Sequence, residues 1–167
     1  VSFRYPKSSV NSLNKIDFCL HKGEKIAIVG PSGSGKSTFI DILLGFMEPG
    51  QGHVYLDKEI LIPRNLNRYR KNFAYVPQKI YFLEGSFKDN LLFSSSSTVS
   101  EDFDLDKIIE DVNLRDLVSS LPLGVETLIS DENQTVSGGQ KQCIGIARAL
   151  LRGGNTLVLD EATSAMD

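Results

Sequence analysis

The sequence predicts an α/β fold built around a parallel sheet. Three observations predict it. A short apolar run, Lys25–Val29 ("KIAIV"), enters a glycine-rich loop, "GPSGSGKS", and leaves it in a stretch that is apolar on nearly every side. A second apolar run, Leu157–Leu159, ends on paired carboxylates, Asp160 and Glu161. Amphipathic stretches of helical period lie between the two. Strand, loop, helix and later strands in that order make an α/β core with parallel strands.

The elements follow along the chain. Val1–Tyr5 and Ile16–Leu20 alternate apolar and polar residues, as half-buried strands do. "HKGE" is a turn, and Lys25–Val29 a strand. Phe39, Ile40, Ile42, Leu43, Leu44 and Phe46 predict a core helix, stopped by Glu48, Pro49 and Gly50. "GHVYLD" and "EILI" read as a hairpin, and "NFAYVPQ" as a strand ending at its proline. Ser94–Ser97 reads as a loop. Leu105, Ile108, Ile109 and Val112 stand at i, i+3, i+4 and i+7, which predicts an amphipathic helix. Cys143, Ile146, Ala147, Leu150 and Leu151 place the same stripe on a second one. Leu157–Leu159 is expected to be a buried strand. The middle third is expected to be mostly helical and to form its own lobe.

Composition narrows the function. At 167 residues the chain has the size of one ordinary domain. Its 41% apolar and 23% charged residues are those of a soluble globular protein. A net charge of −3 argues against a nucleic-acid surface, which needs clustered Lys and Arg. No apolar run approaches the ~20 residues of a membrane span. Cys19 and Cys143 are far apart, and His21 and His53 are isolated, so neither a metal cluster nor a disulfide framework is expected. No secretory leader is expected at Val1, which reads as mid-domain strand.

The loop carries the chemistry. Gly30–Ser37 matches G-x-x-x-x-G-K-[ST] between a strand and a buried helix, the context that gives the match its meaning. Gly33 and Gly35 permit positive φ and bring N–H groups close to phosphate oxygens. The helix N-terminus aims a positive dipole end at the same anion. Lys36 supplies a cation for the outer phosphates, and the Ser37 hydroxyl is placed to ligate Mg²⁺. A bare glycine turn is the alternative, and it explains neither Lys36 nor the following helix.

Asp160 and Glu161 close a strand at its C-terminal edge, where open α/β sheets bind ligands. Asp160 can hold Mg²⁺ opposite Ser37. Glu161 can act as general base on the attacking water. Alone, the pair could equally cap a following helix. Ser137, Gly138 and Gly139 precede the second amphipathic helix, with Ser137 as N-cap. By themselves they could be a bare glycine turn, but with the Asp-Glu strand about twenty residues later they read as a second anion site on one chain. One nucleotide has no use for two distant phosphate cradles, but a two-fold dimer has, if each chain presents this helix end to its partner's nucleotide.

With these motifs in order, the chain resembles the nucleotide-binding domains of ABC (ATP-binding cassette) transporters over essentially its whole length. "GPSGSGKST" resembles the Walker A loop, "VSGGQKQ" the signature motif, "LVLDE" the Walker B strand and "SAMD" (Ser164–Asp167) the D-loop. The resemblance implies a P-loop NTPase with a RecA-like parallel-sheet core, an antiparallel β subdomain (about 1–25 and 52–62) and an α-helical signature subdomain (about 79–152). Walker A and Walker B elements would occupy 25–47 and 156–167. It implies ATP and Mg²⁺ as cofactors. Tyr5 would stack on adenine, and Gly30, Ser32, Gly33, Ser34, Gly35, Lys36, Ser37 and Thr38 would hold the phosphates. Ser137, Gly138, Gly139 and Gln140 would meet the nucleotide of the partner chain. Gln78 in "YVPQ" resembles the Q-loop glutamine, which links Mg²⁺ to the transmembrane partner. The catalytic set implied is Glu161, Lys36 and Gln78; the metal set is Ser37, Gln78 and Asp160.

"EGSFKDNLLF" and "LPLGVETLISDENQTVSGGQ" are similar to the exporter branch, in which Glu132 is a candidate contact of the membrane domains. The chain departs from the family pattern at Val136, Lys141 and Cys143, and at Ser130 and Asn133. The implied partners are a second nucleotide-binding domain, identical or homologous, and transmembrane domains, possibly on the same chain, with no nucleic acid. The implied place is the cytoplasmic face of a cell membrane, a bacterial inner membrane being expected. The family's switch histidine lies on a strand beyond the D-loop, so impaired hydrolysis is expected of residues 1–167 alone. Two other classes compete. A soluble ABC protein would carry a second cassette or a coiled-coil insertion; a phosphate-loop kinase or GTPase would lack the Ser-Gly-Gly helix end.

Overall fold

The computed structural model describes residues 1–93, 104–130 and 136–160. The chain divides into two compact units, Val1–Arg70 and Lys71–Asp167, each with its own packing.

In the first unit, single antiparallel bridges join Ser2 to Gln51 and Phe3 to Leu13. Helix α1, Lys36–Leu43, starts directly from the glycine-rich loop and buries Thr38, Ile40 and Ile42. Leu44 is buried just beyond its end. The helix stops there, short of the expected Glu48, and Phe46 is exposed rather than buried. Hairpin strands β1 (Tyr55–Leu56) and β2 (Glu59–Ile60) pair antiparallel, as the sequence predicts. A 3₁₀ turn at Pro63–Asn65 leads into helix α2, Leu66–Arg70. The last carbonyls of a helix have no intrahelical donor. Here the Tyr69 hydroxyl donates to the Leu43 carbonyl, and Arg70 Nη2 donates to the Gly45 carbonyl at 2.6 Å. Those two bonds fix the far end of the loop helix.

The expected strands before the loop are not formed. Val1–Tyr5 makes only the two bridges, and Ile16–Leu20 and Lys25–Val29 have no regular structure. Ile26, Ile28 and Val29 are exposed. A strand exists only where a neighbour accepts its ladder, and no described residue pairs with Lys25–Val29.

In the second unit, strand β3 (Phe73–Val76) pairs in parallel with the last described strand, Thr156–Leu159, in the register Phe73↔Thr156 to Val76↔Leu159. Between them come β4 (Gly85–Ser86), α3 (Phe87–Leu92), α4 (Leu105–Asp111), α5 (Arg115–Ser120), β5 (Leu128–Ile129) and α6 (Gly138–Arg152), so the last strand is β6. Short strands β4 and β5 pair antiparallel. Phe82, Phe87, Leu91, Ile109, Leu114, Ile129 and Ile144 form the main core of this unit. Each such side chain contributes about 1.5–3 kcal/mol on burial. The α4 stripe is as predicted, with Ile109 and Val112 buried and Leu105 and Ile108 packed beside them.

Two expectations need correction. Leu157 and Leu159 of β6 are 47% and 45% exposed, because only one edge of β6 is paired among the described residues. Of the predicted α6 stripe, Ala147 is buried and Cys143, Ile146 and Leu151 pack against the core, but Leu150 is exposed, and Gln142, Ile144, Gly145 and Ala149 are buried as well. The helix has apolar neighbours on two sides: Ile144 and Ala147 face the main core, and Ala149 joins Ala74, Val76 and Ile80. A single stripe does not describe such a helix. The serine run Ser94–Ser97 lies outside the described residues.

Candidate functional site

The glycine-rich loop lies in the first unit. Gly33 and Gly35 take φ of +77° and +94°, and Gly35 is the N-cap of α1. A Cβ on Gly35 would sit 2.5 Å from the Ser12 carbonyl oxygen, so backbone packing as well as φ requires glycine there. Lys36 folds back over its own loop: Nζ donates to the Gly30 carbonyl at 2.8 Å and the Pro31 carbonyl at 2.9 Å. The loop therefore curls around the ammonium and leaves the N–H groups at the start of α1 available to an anion. Ser32, Ser34 and Ser37 are exposed. Among the described residues no side chain caps α1, and its first turn holds no acidic residue.

Tyr5 stands beside the same helix. Its hydroxyl lies 3.1 Å from Thr38 Oγ1, and its ring packs edge-on against Phe3 with centroids 5.0 Å apart. The ring is 39% exposed, enough to offer a face to a planar ligand. Tyr5 and Gly30–Thr38 are thus brought together in one unit.

Gln78 and Asp160 are brought together in the other. Parallel pairing of β3 with β6 ends both strands on the same sheet edge, and the Asp160 N–H donates to the Val76 carbonyl at 3.0 Å, one step past the last pair. Gln78 follows Val76 by two residues and is exposed. The Tyr75 hydroxyl donates to Asp160 Oδ2 at 3.3 Å, which leaves Oδ1 available. Glu161, Glu132, Asn133 and Ser164–Asp167 lie outside the described residues.

The Ser137 end of α6 has the predicted cap. Ser137 Oγ accepts from the Gln140 N–H at 3.2 Å, and the Ser137 N–H donates to Gln140 Oε1 at 2.8 Å. This reciprocal box occupies the Gln140 carboxamide oxygen, the Ser137 hydroxyl oxygen and the two backbone N–H groups of Ser137 and Gln140. The N–H groups of Gly138 and Gly139, the Ser137 hydroxyl proton and the Gln140 amide remain as donors. Ser137 and Gly138 are exposed.

Each unit offers hard oxygen donors of the kind Mg²⁺ takes: in the first the Ser37 hydroxyl, which makes no hydrogen bond among the described residues, and in the second the Asp160 carboxylate and the Gln78 amide. No cluster of three His, Cys, Asp or Glu exists among the described residues.

Sequence reasoning missed four residues that contact the chain segment after β3: Asn90, Gln142, Gly145 and Arg148. The last three recur every third position on α6, a spacing that marks one helix face. Polar residues on that face of a helix packed on two sides are the signal that could have found them.

Comparison with known proteins gives a consistent picture. The sequence profile of the family described as ABC transporter matches residues 13–164. The chain is 42% identical over 172 residues to a sophorolipid transporter of Starmerella bombicola, with all of the chain and 13% of that protein covered. It is 37% identical over 170 residues to an ATP-dependent lipid A-core flippase of Ralstonia nicotianae, covering all of the chain and 28% of the flippase. A solved bacterial Atm1-family ABC exporter with ATP bound superposes with a TM-score of 0.87 at 29% identity, over all of the chain and 29% of that protein. The chain thus spans about a quarter or less of such relatives. No helix among the described residues is long and apolar enough to cross a membrane.

Proposed function

The chain belongs to the ABC transporter family, and from that premise we propose that it binds and hydrolyses ATP to drive an exporter. Its fold is read as a RecA-like core with an antiparallel β subdomain and a helical signature subdomain. The observation that carries the reading is the phosphate loop, with Lys36 bonded across it and the start of α1 left open.

The adenine stacks on Tyr5. The loop N–H groups from Gly30 to Thr38 hold the phosphates, and Lys36 exchanges a loop carbonyl for a phosphate oxygen. On the sequence reading Ser37, Asp160 and Gln78 would hold Mg²⁺, which when bound would neutralise charge on the outer phosphates. Glu161 takes a proton from the attacking water, and the hydroxide oxygen bonds to the γ-phosphorus as the bond to the β–γ bridging oxygen breaks. Ser137, Gly138, Gly139 and Gln140 of a second copy or homologue donate to the γ-phosphate from the opposite side, so two nucleotides close a dimer. Gln78 and Glu132 face transmembrane domains at the cytoplasmic side of a cell membrane, the bacterial inner membrane on the sequence reading.

Phosphate release by the complete protein tests this. Wild type releases phosphate from Mg·ATP, while Glu161→Gln binds the nucleotide and releases none. Release by Glu161→Gln at the wild-type rate would remove Glu161 from the role of base.

A further inference from the structure

One face of α6 is committed to the chain segment that follows β3. Arg148 Nε donates to the Asn90 carbonyl at 2.6 Å, Nη2 to Asn90 Oδ1 at 2.9 Å and Nη1 to the Tyr81 carbonyl at 2.7 Å. The guanidinium also lies over the Phe82 ring, 5.6 Å from its centroid. Asn90 is fully buried, and its carboxamide is fully engaged. Its Oδ1 also accepts from the Leu83 N–H at 2.9 Å, and its Nδ2 donates to the Leu83 carbonyl at 3.0 Å and the Ser86 carbonyl at 3.1 Å. Three residues nearer the helix start is Gly145, where a Cβ would meet Ile80 Cδ1 at 2.5 Å. Three further is Gln142, 6% exposed, whose Nε2 donates to the Gln78 carbonyl over a long 3.5 Å.

Residues 79–84 belong to no helix or strand. Their path is set by Asn90 from within and by Arg148 from α6. A guanidinium presents its donors in a rigid planar fork, whereas an ammonium is a point charge on a flexible stem. The Ser137 end of α6 and the Gln78 segment are therefore tied to one rigid helix within one packed unit.

We propose that Arg148, acting through Asn90, is a positioning residue for Gln78, so that a shift of α6 carries the Gln78 segment with it. The proposal rests on the functional reading above, which gives Gln78 its role. Neither residue touches substrate in this scheme.

Two measurements on the complete protein test it. The first needs no nucleotide: amide hydrogen exchange with Arg148→Lys. Exchange in residues 79–86 should speed at least about tenfold, while α4 and α5 keep wild-type protection. Unchanged exchange in 79–86 overturns the proposal. The second is a double-mutant cycle on Mg·ATP hydrolysis. Arg148→Ala should lower kcat about tenfold and leave KM within about twofold. In a Gln78→Ala background the same change should cost less than about twofold. Equal losses in both backgrounds overturn the proposal while leaving the ATPase reading intact. If Arg148→Ala does not fold, Arg148→Lys takes its place in the cycle under the same criteria. Hydrolysis by Lys36→Ala at the wild-type rate would overturn the functional reading and, with it, this proposal.

Discussion

Lys36 Nζ donates to the main-chain carbonyls of Gly30 and Pro31, six and five residues before it. The ammonium holds the loop closed and is also the loop's side-chain cation. Lys36→Ala removes both at once. Nucleotide affinity should fall at least tenfold, about 1.4 kcal/mol, in a titration with a fluorescent ATP analogue. Unchanged affinity would mean that the loop does not hold the phosphates.

Gly35→Ala should damage the same loop by a different route. Its φ of +94° strains any side chain, and the new Cβ would press on the Ser12 carbonyl oxygen. A cost of about 1–3 kcal/mol is expected, seen as a fall in Tm of several degrees together with weaker nucleotide binding. A melt indistinguishable from wild type would contradict the loop conformation.

Tyr5 separates stacking from hydrogen bonding. Its hydroxyl is within bonding distance of Thr38, so the ring is what remains for a base. Tyr5→Ala should lose ~1–3 kcal/mol of affinity if base stacking on nucleic-acid-binding proteins is a guide, whereas Tyr5→Phe should keep most of it. ATP and GTP should compete on similar terms, since a ring face reads the base loosely. Competition binding measures both, and outright rejection of GTP would point to a hydrogen-bonding base pocket.

Tyr69 gives a pH signature. Burial raises its phenol from the ordinary 10.0 to about 12. A raised folded value means that the unfolded chain ionises first as pH climbs. The stability tied to the neutral phenol is whole below pH 10.0 and is lost as pH rises toward about 12. Stability against urea should fall more steeply across that window in wild type than in Tyr69→Phe, which lacks the titrating group. Equal slopes would show that Tyr69 is not the buried phenol. Below the window Tyr69→Phe should itself cost about 1 kcal/mol, for the lost bond to the Leu43 carbonyl.

What the sequence made legible was local. Ser137, with Gln140 three residues on, names its own cap, and the period of Leu105 to Val112 names its own helix. The phosphate loop is legible because glycine positions and a following helix are enough to shape it. What stayed hidden depends on partners far away in the chain. Lys25–Val29 has strand-forming residues but no paired neighbour among the described residues. Leu159 has the composition of a buried strand and the exposure of an edge. Asn90 and Arg148 lie 58 positions apart, and each alone reads as an ordinary surface polar residue. Only packing makes them a pair.

The central claim is that each nucleotide is shared between the phosphate loop of one copy and the Ser137 helix end of another. Two variants of the complete protein, both carrying Glu161→Gln, test it most directly: one with Lys36→Ala, the other with Ser137→Arg. Assembled separately, neither pair of copies contains an intact shared site. Assembled together, each mixed pair contains an intact loop facing an intact helix end. The measurement is retention of labelled Mg·ATP through rapid gel filtration. The account predicts that the mixture retains nucleotide and that neither variant alone does. Retention by the Ser137→Arg variant alone, at the level of the Glu161→Gln parent, would contradict it.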